Sequence, residues 1–115
     1  MSTRAIDQTR RCTSMAEVRT QIDALDDILV PLLVTRSGYM REAARIKARA
    51  ELVRDEARIQ QIVDRVRPLA RTHGGSADLM ERLYRAMMEC YIAYEHEELQ
   101  RLQAAAASGQ EEPTP

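Results

Sequence analysis

The sequence predicts an all-α fold: three helices per chain, the first of them long, with no strands, in a dimer. Three observations predict it. Apolar residues recur at three- and four-residue spacing over long stretches, the period of a helix with one buried face. Turn formers are sparse, with four Gly and four Pro in 115 residues. One helical stripe is also too long for a chain of this size to cover alone.

The first helix is expected over 14–49. Residues 1–13 are polar and unpatterned, and they read as a flexible tail. Ser14 suits an N-cap, with Glu17 three residues on as its capping-box partner. From there Ile22, Leu25, Leu29, Leu32, Arg36, Met40, Ala43 and Lys47 keep helical spacing. Pro31 is expected to kink the helix, because it lacks an N–H and crowds the preceding turn. The stripe stays in phase across it, so one helix is expected, roughly 50 Å long at 1.5 Å per residue. A compact domain of this length has a radius of gyration of about 13 Å. Such a helix must overhang, and its apolar half then requires a partner chain.

The second helix is expected over 54–72, with Ile59, Ile62, Val63 and Val66 as its stripe and Pro68 bending or ending it. T-H-G-G-S at 72–76 is the clearest turn in the chain, and Ser76 can cap the next helix. That third helix is expected over 77–106, with Met80, Leu83, Met87, Tyr91, Glu95, Leu99 and Leu102 in phase. Residues 107–115 read as a disordered tail. The domain proper is thus 14–106.

Composition excludes several classes. A net charge of −1 argues against a nucleic-acid module built on a basic surface. No apolar run approaches the roughly 18–20 residues of a membrane span. M-S-T-R-A-I-D-Q-T-R-R-C-T-S lacks the apolar stretch of a secretory signal. Cys12 and Cys90 lack metal spacing and read as two free thiols of a cytoplasmic protein. No phosphate loop or metal motif occurs, so no metal or cofactor is expected. With no Phe or Trp, the core must be aliphatic and Met-filled. Of 17 basic residues 16 are Arg, and the single Lys is Lys47.

Function has to be argued from polar groups that sit where hydrophobes belong. Arg36, Lys47 and Glu95 are the three. Arg36 and Lys47 are 11 residues apart, so on one helix they differ by only about 20° in direction. Both are aimed with the apolar stripe. Helix cations are ordinarily solvated by snorkelling. Two that face inward need internal carboxylates or an anionic ligand. Arg19 is rotated by about 100° from Arg36 and cannot serve the same site in its own chain. In an antiparallel dimer of long helices it could complete the partner's site. Tyr91 and the Met residues read as core filler.

Taken together, these residues resemble a known family. V-R-T-Q-I-D-A-L-D-D-I-L-V-P-L-L-V-T-R (18–36), I-K-A-R-A (46–50) and V-R-D-E-A-R (53–58) look like the all-helical AroQ-class chorismate mutases. The resemblance covers roughly residues 15–103. It implies an intertwined homodimeric helical bundle built on the long first helix. It also implies roles. Arg19 resembles the arginine that reaches into the partner's site to bind a substrate carboxylate. Arg36 resembles the arginine that binds a carboxylate within its own chain. Lys47 resembles the lysine that contacts carboxylate and ether oxygen. Asp55 matches the ring-hydroxyl contact, and Arg58 a further arginine lining the pocket. Glu95 falls where many members carry Gln, the second donor to the ether oxygen. Two positions depart from the mutase pattern. Ile59 stands where fusion-type mutases often carry Glu, and Tyr91 where some members carry Ser. Together with C-Y-I-A-Y-E (90–95), these look more like the isochorismate-pyruvate lyase branch.

The implied chemistry suits the residues. Chorismate is a small dianion, and its rearrangement to prephenate, a step of aromatic amino acid biosynthesis, is pericyclic. It requires only a held conformer and stabilisation of charge on the ether oxygen. Arginine forks suit carboxylates, and a compact ammonium suits one ether atom. Glu95 must be protonated to donate, so activity is expected to fall as pH rises through neutrality. The alternatives are an isochorismate-pyruvate lyase, an amino-deoxychorismate mutase, and a non-catalytic helical dimerisation module. A nucleic-acid-binding helical protein has no base-reading motif to support it.

Overall fold

A computed structural model describes residues 8–109. It contains helix α1 (Met15–Lys47), a short 3-10 turn (Ala50–Leu52), helix α2 (Glu56–Thr72) and helix α3 (Ala77–Ala107). Among the described residues there is no strand. Residues 8–14 precede α1 without regular structure, whereas 1–7 and 110–115, parts of the two expected tails, lie outside the described residues. The chain divides into two compact units, Met1–Arg36 and Ser37–Pro115.

The first unit holds most of α1. The Ser14 hydroxyl accepts from the N–H of Glu17 at 3.2 Å, as the capping box requires. The return bond is displaced by one residue. Glu17 accepts from the Thr13 N–H at 2.7 Å and from its hydroxyl at 3.1 Å. Pro31 lies inside the helix without ending it. The Thr35 hydroxyl donates to the Pro31 carbonyl at 3.1 Å. Ile22, Leu25, Leu29 and Leu32 are all exposed, with Leu32 at 62%. Their spacing keeps them on one face.

The second unit holds the end of α1 and the α2–α3 hairpin. Helix α1 stops at Lys47, two residues before its expected end. Neither Gly nor Pro marks the stop. Ala48 instead takes a left-handed conformation, φ 59°, while its N–H still closes the last turn on Ala44 at 3.0 Å. For a residue with a Cβ that conformation costs roughly 1–2 kcal/mol. The 3-10 turn comes next, and α2 begins at Glu56 rather than 54, because Asp55 is its N-cap and accepts from the Arg58 N–H at 3.0 Å.

Helix α2 runs through Pro68 to Thr72, whose hydroxyl donates to the Pro68 carbonyl at 3.0 Å. It ends in a Schellman-type turn. Gly74 has φ 76°, and the Gly75 N–H bonds the Ala70 carbonyl at 2.8 Å. Ser76 caps α3 by accepting from Leu79 N–H at 3.1 Å.

The cross-pairs show α2 and α3 antiparallel. Arg54 bonds Glu89 at 2.6 Å, and Arg67 bonds Glu81 at 2.8 Å and Asp78 at 2.9 Å. Between them Ile59, Val63 and Met88 form a buried cluster, with Ile62, Tyr84 and Ile92 packed against it. Full burial of a side chain such as Val63 is worth about 1.5–3 kcal/mol.

The inward seam of α3 differs from expectation in its first half. The buried residues are Ala77, Met88, Glu95 and Leu99, while Leu83 is 53% exposed. The series 80, 83, 87, 91 and the series 84, 88, 92 lie one residue apart, and both are apolar. Spacing alone cannot choose between adjacent seams. Packing against Ile59 and Val63 selects the second. The two series converge on Glu95 and Leu99.

Candidate functional site

The sequence singled out Lys47 and Glu95 as polar residues on apolar stripes, and the structure joins them. Lys47 is the last residue of α1, and Glu95 lies two-thirds of the way along α3. The Lys47 Nζ donates to Glu95 Oε2 at 3.2 Å. A second donation goes to the main-chain carbonyl of Val53 at 3.1 Å. The Glu95 side chain is 7% exposed and that of Lys47 29%. One end of the pair is therefore dry and the other meets solvent.

The local sequence explains the arrangement. Because α1 ends at Lys47, the chain can turn at Ala48 and return. Val53, 2% exposed, anchors the returning segment in the core. Its carbonyl thereby reaches the ammonium of the residue six positions earlier. On α3 Glu95 lies three residues beyond the core contact Ile92 and four before buried Leu99. Helical spacing then aims its carboxylate inward.

The other predicted residues fall into three groups. Asp55 and Arg58 are both exposed at the first turn of α2. One Asp55 oxygen is engaged by the Arg58 N–H, and Arg58 Nη1 donates to Gln61 at 3.4 Å. Ile59 is buried in the α2–α3 core cluster, and Tyr91 is partly buried on α3. Arg36, partly buried, and Arg19, exposed, lie in the first unit, whereas the Lys47–Val53–Glu95 cluster belongs wholly to the second.

Two participants carry no signal in the sequence. The Val53 carbonyl is a backbone group that every residue carries, and nothing in the composition marks it. Ala48 takes a conformation usually signalled by Gly or Asn, so its turn is also silent. Arg54, in contrast, stands in the V-R-D-E-A-R stretch. It pairs with Glu56 at 2.7 Å and with Glu89 on α3 at 2.6 Å, tying the start of α2 to α3 beside the cluster.

The cluster can do particular chemistry. An ammonium has three N–H donors and no acceptor. Two of these are engaged by Val53 and Glu95, which leaves one to meet an oxygen of a ligand. The carbonyl is neutral, so it steers the ammonium without cancelling its charge. A carboxyl at Glu95 accepts when ionised and donates when protonated. Both kinds of donor suit an anionic, oxygen-rich ligand. Among the described residues, no three His, Cys, Asp or Glu side chains gather as a metal site would require. No described helix is long and apolar enough to cross a membrane.

Comparison with known proteins identifies the family. Residues 18–96, more than half of the chain, match the family model of chorismate mutase type II. The chain is 26% identical over 90 residues to a chorismate mutase of Methanocaldococcus jannaschii, covering 77% of this chain and 91% of that protein. It is 29% identical over 82 residues to an isochorismate pyruvate lyase of Pseudomonas aeruginosa, covering 71% of this chain and 81% of that protein.

Proposed function

The chain belongs to the chorismate mutase type II family, and on that basis we propose that it is a chorismate mutase, converting chorismate to prephenate for aromatic amino acid biosynthesis in the cytoplasm. The observation that carries the reading is the Lys47–Glu95 pair, with the ammonium held at 3.2 Å from a buried carboxylate.

In the rearrangement the ether C–O bond breaks as a C–C bond forms across the substrate. No proton leaves and no covalent intermediate forms, so rate enhancement comes from holding a compact conformer and stabilising charge on the ether oxygen. The free N–H of Lys47 donates to that oxygen. In its carboxylic acid form Glu95 is the second donor. Asp55 and Arg58, at the start of α2, meet the ring hydroxyl and a further substrate oxygen. Arg36 takes one carboxylate, and Arg19 of the partner subunit takes the other. Ile59 and Tyr91 supply apolar wall.

The proposed state is a homodimer. Its support is the row Ile22, Leu25, Leu29 and Leu32, which is exposed on one face of α1. An apolar row of this length in water favours a partner chain.

A second reading, isochorismate-pyruvate lyase, is favoured by one observation. Ile59 is apolar and buried where a hydroxyl-binding carboxylate would distinguish many mutases. Separate incubations with chorismate and isochorismate test the two: prephenate from the first supports the mutase, and salicylate with pyruvate from the second supports the lyase.

A further inference from the structure

Helix α1 is followed by a residue that does not favour its own conformation. Ala48, φ 59°, is the one non-glycine residue with positive φ among those described. A Cβ disfavours that region, so surrounding structure must hold it there. The turn leads into the 3-10 segment, where Leu52 N–H bonds Arg49 at 3.1 Å and Val53 N–H bonds Ala50 at 3.2 Å. The result is a Val53 carbonyl 3.1 Å from Lys47 Nζ, backed by a side chain that is 2% exposed.

We propose that the connection from Ala48 to Val53 positions the Lys47 ammonium, with the Val53 carbonyl as its fixed acceptor and the left-handed Ala48 turn holding that carbonyl in reach. The proposal rests on the reading of Lys47 as a donor to substrate. Lysine carries its charge on a flexible four-carbon stem. Two acceptors on one ammonium fix the direction of its remaining N–H. The two differ in kind. Glu95 loses its charge attraction when it takes up a proton, and the Val53 carbonyl keeps its acceptor strength. The carbonyl, 3.1 Å from the ammonium, is therefore a tether whose strength does not depend on any proton. Ala48 and Val53 are positioning residues, since neither side chain touches the ammonium.

Lys47 is the chain's single lysine, so ε-15N-lysine labelling yields one side-chain ammonium resonance. In the wild type it is expected to be protected from exchange with water. Ala48→Gly accommodates the same φ and is expected to keep kcat within twofold and the resonance protected. Ala48→Val carries a β-branched side chain that opposes the turn. It is expected to lose kcat at least tenfold, with KM changed less than threefold, and to lose the protected resonance while its cooperative thermal transition remains. Should Ala48→Val not fold, Val53→Ala keeps every backbone group but frees the carbonyl, and a smaller kcat loss with faster ammonium exchange is expected. Wild-type kcat in folded Ala48→Val, or in Val53→Ala where Ala48→Val does not fold, or an unchanged protected resonance in that variant, overturns the proposal. If the wild type turns over neither chorismate nor isochorismate, the functional reading fails, and the ammonium resonance alone decides whether the tether exists.

Discussion

The only lysine of the chain donates to a glutamate buried 48 residues away, Lys47 Nζ to Glu95 Oε2 at 3.2 Å. Each satisfies the other. A fully buried ion pair broken on one side typically costs about 3–5 kcal/mol; this pair is dry only at its Glu95 end, with the Lys47 side chain 29% exposed. The pair therefore constrains how each member can be tested.

Glu95→Gln tests the role of the carboxyl. An amide donates at every pH, whereas a carboxyl donates only while protonated. The Gln variant is therefore expected to retain turnover, since the amide is a donor that needs no proton uptake, whereas Glu95→Ala, which removes the donor, is expected to lose most of it. Steady-state kinetics on both variants, with a melting curve for each, measure this.

Lys47→Arg tests the ammonium while keeping a cation beside Glu95, so the fold is expected to survive. A planar fork cannot occupy the place of a compact ammonium between Val53 and Glu95. Turnover is expected to fall by on the order of 10²–10³, the scale seen when one preorganised donor is lost from a charge-stabilising site. Steady-state kinetics with a melting curve separate lost chemistry from lost folding.

Helical phase, caps and turn residues were legible in the sequence. Ser14 and Ser76 cap as expected, and T-H-G-G-S forms the turn. Lys47 and Glu95 stood out because charge on an apolar stripe has to be compensated. The end of α1 was not legible, because Ala48 is a good helix former that nonetheless takes a left-handed conformation. The α3 seam was ambiguous for a related reason. Met87 and Met88 are chemically equivalent neighbours, and only the partner helix decides which is buried. Val53's part lies in its backbone, where side-chain identity carries no signal.

The exposed row on α1 predicts an association state. Leu25→Glu with Leu29→Glu places two charges in an apolar face. The double variant is expected to elute as a monomer in size-exclusion chromatography with light scattering, where the wild type is expected to elute as a dimer. Activity is expected to disappear with the dimer, since Arg19 then has no partner site to enter.

Acid stability has a specific source in the hairpin. Glu81 bridges Arg85 at 2.7 Å and Arg67 at 2.8 Å. The hydrogen bond from Arg85 foremost, and that from Arg67, hold its carboxyl below the usual carboxylate range. A lowered folded-state value means stability that is present above the unfolded value and lost as pH falls through the folded one. The melting temperature is expected to fall on acidification below about pH 4.5, the unperturbed carboxylate region. Glu81→Gln is expected to lower it at neutral pH and to show a shallower fall with acid. Thermal melts from pH 7 to 3 measure both.

Acceleration of the chorismate rearrangement by this helical chain is proposed to depend on Lys47 above all. The most direct measurement is the rate of prephenate formation by the wild type and by Lys47→Arg, with isochorismate assayed in parallel. Prephenate is expected from the wild-type enzyme, with a loss of at least a hundredfold in the variant at unchanged folding, and little salicylate or pyruvate from isochorismate. No prephenate above the uncatalysed rate, or equal turnover by the two proteins, would contradict it.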